Sequence, residues 1–233
     1  MRAVLQPRIL ILCPLAEEWS ILTSRFEVSH RLEHVHDLKI EATYVPDWRT
    51  LLAPGGHGKT QFGVQAQYLI GLYPSVELVI CAGAAGSLAP ELSIGDVVIG
   101  TETVEHDYRM LFATRPLPRF PGHGPSIEAL RRLAQRVSGF RVAFDVIASG
   151  DEDVVASARA QAIRDQTGAA CVAWEGSGAA RAALFNGIGS LEIRAVTDAA
   201  DEEAPQRFDA NLMIAMSNLA NLLRSWLETT EYA

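Results

Sequence analysis

The chain has 233 residues, 48% hydrophobic and 21% charged, enough to bury one large core, and it reads as a single globular domain over 1–233. Its net charge of −8 excludes an electrostatic nucleic-acid binder, which needs a basic face against phosphates. No apolar run is long enough to span a membrane, and the pattern from Arg8 is that of a strand rather than a signal core. A cytoplasmic enzyme is expected.

Arg8 to Cys13 is a continuous apolar run, the pattern of a strand buried on both faces. Pro14 stops it, and Ala16 to Arg25 reads as a helix. Lys39 to Val45 and Thr50 to Ala53 read as strands around a turn at Pro46-Asp47. The glycines of 55–58 lead into a helix from Thr60 to Leu72. Val76 to Cys81 reads as a buried strand ended by Gly83-Ala-Ala-Gly86, and Ile94 to Gly100 as the next. Arg141 to Ala148, Cys171 to Trp174 and Leu191 to Val196 are further strands. Helical patterns fall at Ser126–Val137, Ser157–Gln166, Ser177–Leu184 and Phe208–Glu228. This alternation predicts a three-layer α/β/α fold with a central mixed sheet. Glu105 to Pro125 is a long loop holding Leu111, Phe112 and Phe120 among prolines and glycines, a pattern that marks a functional segment or lid.

Ligands of such sheets collect at the carboxyl ends of the strands, so polar residues there carry most weight. These are Glu17 and Glu18, the glycines of 55–58 and 83–86, Asp151 to Asp153, Glu175, and Arg194 with Asp198. Cys13, Cys81 and Cys171 lie in apolar stretches without metal-ligand spacing and read as buried small hydrophobes. His34 and His36 share a strand face but lack further ligands at useful spacing, so they are expected in solvent, and no metal site is expected. Ala53 to Thr60 (APGGHGKT) fits a relaxed phosphate-loop pattern, in which Lys59 and backbone N–H groups cradle phosphates. A glycine turn packing a helix on the sheet explains it better. Ala53 replaces the first glycine, and no strand-end aspartate is supplied to hold magnesium.

Six segments in order resemble the 5′-methylthioadenosine/S-adenosylhomocysteine nucleosidases of the nucleoside phosphorylase superfamily. They are Ile11–Glu18 (ILCPLAEE), Gly55–Lys59 (GGHGK), Cys81–Pro90 (CAGAAGSLAP), Ile94–Val98 (IGDVV), Ser149–Asp151 (SGD) and Arg194–Asp201 (RAVTDAAD). The resemblance implies a purine nucleosidase of nucleoside phosphorylase-like fold without a cofactor. Breaking a ribosyl–purine bond leaves an oxocarbenium-like sugar and an anionic base, so an acid must protonate the purine and a base must activate water. The resemblance assigns the acid to Asp198, the water-activating base to Glu18 and the ribose acceptor to Glu175. Arg194 orients the water or the carboxylates. The remaining substrate contacts implied are Trp174, Ala84, Ala85, Gly86, Asp153, Val154 and Thr197.

Four positions depart from the pattern. Cys81 and Ala84 stand where phosphorylases commonly hold phosphate with an Arg and a Ser or Thr, which favours water as nucleophile, although nucleosidases also usually have a Ser where Ala84 stands, one polar contact to the water. Asp153 replaces a base-stacking aromatic, and Ala173 replaces an acid two residues before Glu175. The resemblance implies a 5′-substituted purine nucleoside, methylthioadenosine/S-adenosylhomocysteine-like, as the substrate, while the last two departures point away from the standard thioether. The alternatives are a phosphate-dependent phosphorylase, a relative acting on another nucleoside such as futalosine, and a catalytically weakened nucleoside binder. The resemblance also implies a homodimer in which the 105–125 loop closes the 5′ end of a neighbour's site.

Overall fold

A computed structural model describes residues 5–28, 30–113 and 115–229. The chain opens with β1 (Ile9–Cys13), buried along its length. Ile9, Ile11 and Cys13 enter one hydrophobic core while Leu10 and Leu12 enter another. Alternate strand side chains point to opposite faces, so a strand covered on both sides needs an unbroken apolar run. Next come α1 (Ala16–Glu27), β2 (Glu33–His34), β3 (Thr43–Val45), β4 (Thr50–Pro54), α2 (Lys59–Leu72) and β5 (Leu78–Ser87). They are followed by β6 (Val97–Glu105), β7 (Arg119–Pro121), α3 (Gly124–Ala134), β8 (Val142–Ser149) and α4 (Ser157–Thr167). The chain then forms β9 (Cys171–Ala173), α5 (Gly176–Asn186), β10 (Gly189–Asp198) and α6 (Ala204–Leu227).

The sheet is mixed. β4, β1, β5 and β10 are parallel neighbours in that order. β10 also pairs antiparallel with β6, β6 parallel with β8, β8 parallel with β9, and β9 antiparallel with β5, so five strands close into a ring at one end. Side chains of α1, α3 and α6 pack on one face, through Phe26, Leu130 and Trp226 among others. α2 and α5 pack on the opposite face, through Phe62, Leu69 and Ala183. This is the expected three-layer α/β/α arrangement.

Several expected boundaries move. The strand expected over Lys39–Val45 shortens to β3, followed by a 3-10 turn at Pro46–Trp48. The strand expected from Ile94 starts instead at Val97, because Ile94 is exposed and Gly95 takes the left-handed φ of +88° in a turn. α6 begins four residues before Phe208, with Pro205 in the first turn, where a missing N–H costs nothing. Within the expected 105–125 loop, Arg119–Pro121 forms β7 against β6.

The largest difference is β5, which runs on through Gly83-Ala-Ala-Gly86 instead of ending there. Residues 78–86 pair with β10, and Gly86 and Ser87 pair with β9. The glycines serve close approach rather than a turn. A Cβ on Gly83 would lie 2.9 Å from Glu18 Oε1 and from an Arg194 guanidinium nitrogen, and one on Gly86 would lie 2.8 Å from Asp198 Oδ1.

Candidate active site

The carboxyl ends of β4, β1, β5 and β10 lie side by side, and the segments after β8 and β9 complete the wall of a cleft of about 340 Å³. That volume lies in the range of small-molecule sites. The cleft brings together every site residue expected from sequence: Glu18, Ala84, Ala85, Gly86, Asp153, Val154, Trp174, Glu175, Arg194, Thr197 and Asp198.

Glu18 sits at the third position of α1, buried, while its neighbour Glu17 is exposed. Its Oε1 accepts the Ala84 N–H at 2.7 Å and its Oε2 accepts the Leu15 N–H at 2.9 Å. Burial pushes its carboxyl up to about 7, against the pull of the Ala84 N–H and Arg194, and the Glu175 charge adds to the rise.

Asp198 is the last residue of β10, not a residue beyond the strand. Its Oδ1 accepts the Ala200 N–H at 2.9 Å and its Oδ2 accepts the Thr197 hydroxyl at 2.8 Å. Burial raises its carboxyl above the ordinary aspartate range, and the two hydrogen bonds only partly offset this.

Glu175 precedes α5 and is buried. Its Oε1 accepts the Gly58 N–H at 3.2 Å, and its Oε2 accepts from Arg194 Nη2 at 3.0 Å. Arg194 is 1% exposed and also donates to Glu192 Oε1 at 2.8 Å, to the Ala84 carbonyl at 3.2 Å and to Cys81 Sγ at 3.2 Å. A guanidinium stays charged, and here two carboxylates compensate it in the core.

Glu192 is a residue the sequence reading missed. It lies two positions before Arg194 on β10, so both side chains share one face. A second acid in so apolar a strand was the available signal. Its Oε2 accepts the Thr103 hydroxyl at 2.6 Å. His57 and Phe208, also missed, line the cleft.

The phosphate-loop pattern is not a phosphate site. Lys59 Nζ donates to Glu105 at 3.1 Å and to Asp107, and Arg181 also donates to Glu105. The Lys59 N–H donates to Asp151, whose own N–H donates to Asp107. The lysine thus ties three rim segments together. The three cysteines are buried and unpaired as expected, and His34 and His36 are exposed. Phe120 is half-buried under the Arg181 guanidinium at 5.1 Å, so it does not share the exposure of Leu111 and Phe112. No helix among the described residues is long and apolar enough to cross a membrane.

The sequence pattern of the phosphorylase superfamily matches residues 8–228. A 5′-methylthioadenosine/S-adenosylhomocysteine nucleosidase of Actinobacillus succinogenes is 32% identical over 78% of this chain and 81% of its own. An aminodeoxyfutalosine nucleosidase of Helicobacter pylori is 31% identical over 66% of this chain and 69% of its own. Among solved structures, the Neisseria meningitidis 5′-methylthioadenosine/S-adenosylhomocysteine nucleosidase in complex with methylthio-immucillin-A superposes with a TM-score of 0.84 at 30% identity, over 95% of this chain and 99% of that one. The chain belongs to the 5′-methylthioadenosine/S-adenosylhomocysteine nucleosidase family of the phosphorylase superfamily and is a hydrolase of N-glycosidic bonds.

Proposed function

We propose that the chain hydrolyses the ribosyl–purine bond of a 5′-substituted purine nucleoside, with Asp198 as acid to the purine and Glu18 as base to water. The observation that carries this is the pair of buried carboxyls, both raised by burial, leaning over Gly83 and Gly86 of one strand. Gly83 and Gly86 are three positions apart on β5, a rise of about 10 Å that spaces the acid from the base along the cleft. Glu175 takes the ribose hydroxyls, and Arg194 fixes the Glu175 carboxylate. The purine lies against Val154 and Asp153 near Asp198, and Trp174 flanks the ribose.

Water is the nucleophile this floor favours over phosphate. Cys81 is fully buried, and the side chain of Ala84 offers no hydrogen bond to phosphate. Incubation with a panel of purine nucleosides, with and without inorganic phosphate, tests the reading by chromatography of the free base. Base release from 5′-substituted adenosines at a rate independent of phosphate is expected. Strict phosphate dependence with formation of ribose 1-phosphate, or tight binding without turnover, defeats it.

The active form in this reading is a homodimer whose 106–118 segment covers a neighbour's 5′ subsite. Leu111 and Phe112 are 79% and fully exposed, and Val64 on α2 with Leu184 and Phe185 on α5 are exposed as well. Apolar surface of this kind marks association faces. Light scattering is expected to give a dimer. Phe112→Ala is expected to raise KM for apolar 5′-substituted nucleosides over that for adenosine by about 1–3 kcal/mol, the scale of a lost apolar pocket contact. A fully active monomer, or an equal effect on all nucleosides, refutes the shared subsite.

A further inference from the structure

His57 lines the cleft but has no part in the chemistry above. It stands between Gly56 and Gly58, whose φ values of +81° and +82° fold the turn after β4 over the Glu175 carboxylate. Its Nδ1 is 3.7 Å from Glu175 Oε1, the oxygen that also accepts the Gly58 N–H. Its ring centroid is 4.2 Å from that of Trp174 at a 41° tilt. The imidazole is therefore held from two sides, yet half its side-chain surface, 52%, remains open.

Topology puts this ring at the far end of the cleft from the purine acid. His57 follows β4, Pro14 and Leu15 follow β1, and Asp198 ends β10, with β5 between β1 and β10. Three strand spacings separate β4 from β10, about 14 Å. A nucleoside with its purine at Asp198 and its ribose hydroxyls at Glu175 projects its 5′ carbon away from the base, towards His57. Pro14, Leu15 and Phe208 among the cleft-lining residues offer only apolar side chains. In a neutral imidazole one of the two ring nitrogens carries a lone pair and accepts from an N–H or O–H, and the open half of the His57 ring presents its edge to the cleft.

We propose that His57 is a specificity-determining residue that selects nucleosides whose 5′ substituent ends in a hydrogen-bond donor, such as the ammonium of an amino-acid tail, over those with a plain alkylthio tail. This rests on the nucleosidase reading above. The test compares kcat/KM for a 5′-(aminoalkylthio)adenosine, whose tail ends in an ammonium alone, with that for 5′-methylthioadenosine, whose tail is a methyl group. His57→Leu is expected to lower the ratio of the two about tenfold, the worth of one hydrogen bond to a charged group. His57→Asn, which keeps an acceptor, is expected to hold the ratio within about threefold of the parent. A ratio unmoved by His57→Leu overturns the proposal, because a residue that merely props Glu175 and Trp174 affects both substrates alike. Base release from neither substrate by the parent enzyme overturns the nucleosidase reading as well, which separates the two failures.

Discussion

Asp198→Asn is expected to slow base release by about 10²–10⁴-fold, the usual loss when a positioned general acid is removed. The amide is nearly the same shape. Its oxygen can still accept the Ala200 N–H, and its NH2 can donate to the Thr197 hydroxyl, which rotates to suit. The fold is therefore kept, and thermal unfolding should change little. What is lost is a proton for the purine. A riboside with a nitrophenolate leaving group, which needs no proton, is expected to suffer much less. Activity on the purine nucleoside within a few-fold of the parent removes Asp198 from the acid role.

Glu18→Gln should be nearly as severe in kcat, on the order of 10²–10⁴-fold, with little change in nucleoside affinity, because a water-activating base acts in the chemical step. The variant also changes the pH profile. Glu18 acts as a base only when ionised, and burial holds its carboxyl at about 7. In the parent enzyme, ionisation of Glu18 near 7 therefore supplies the limb of kcat/KM that rises with pH, while loss of the proton that Asp198 must hold supplies the opposing, falling limb. In the variant this rising limb disappears, and any residual rate follows other groups. Glu17→Gln is the control. Glu17 is exposed on the opposite side of α1, so its loss should leave both rate and profile intact. If Glu17→Gln carries the defect, the base is misassigned.

The contrast between these two glutamates shows what was legible in the sequence. Both precede a helix pattern after a strand, and spacing alone does not choose between them. Only Glu18 turns inward, where the Ala84 and Leu15 N–H groups meet it. The strands of the parallel core were legible because they are buried on both faces and carry continuous apolar runs, as in β1. β5 was legible only to Cys81, because glycine and alanine have weak strand preference and tertiary pairing overrides it. The ring closure through β9 left no local trace, since three residues pairing with two distant strands show no period. Glu192 was hidden by being read as part of an apolar run, and His57 by being read as part of a backbone turn.

The environment of Arg194 bears on the choice between water and phosphate. Its donors are taken up by Glu175, Glu192, the Ala84 carbonyl and Cys81 Sγ. Once Glu18 ionises, three carboxylates surround a single guanidinium, and the floor of the cleft carries an excess of negative charge. A multivalent anion entering there meets repulsion and finds no unspent cation to offset it, whereas a sugar acquiring positive charge meets a complementary field. In the proposed reading, the preference for water over phosphate is then a property of the folded floor itself, present before any substrate arrives.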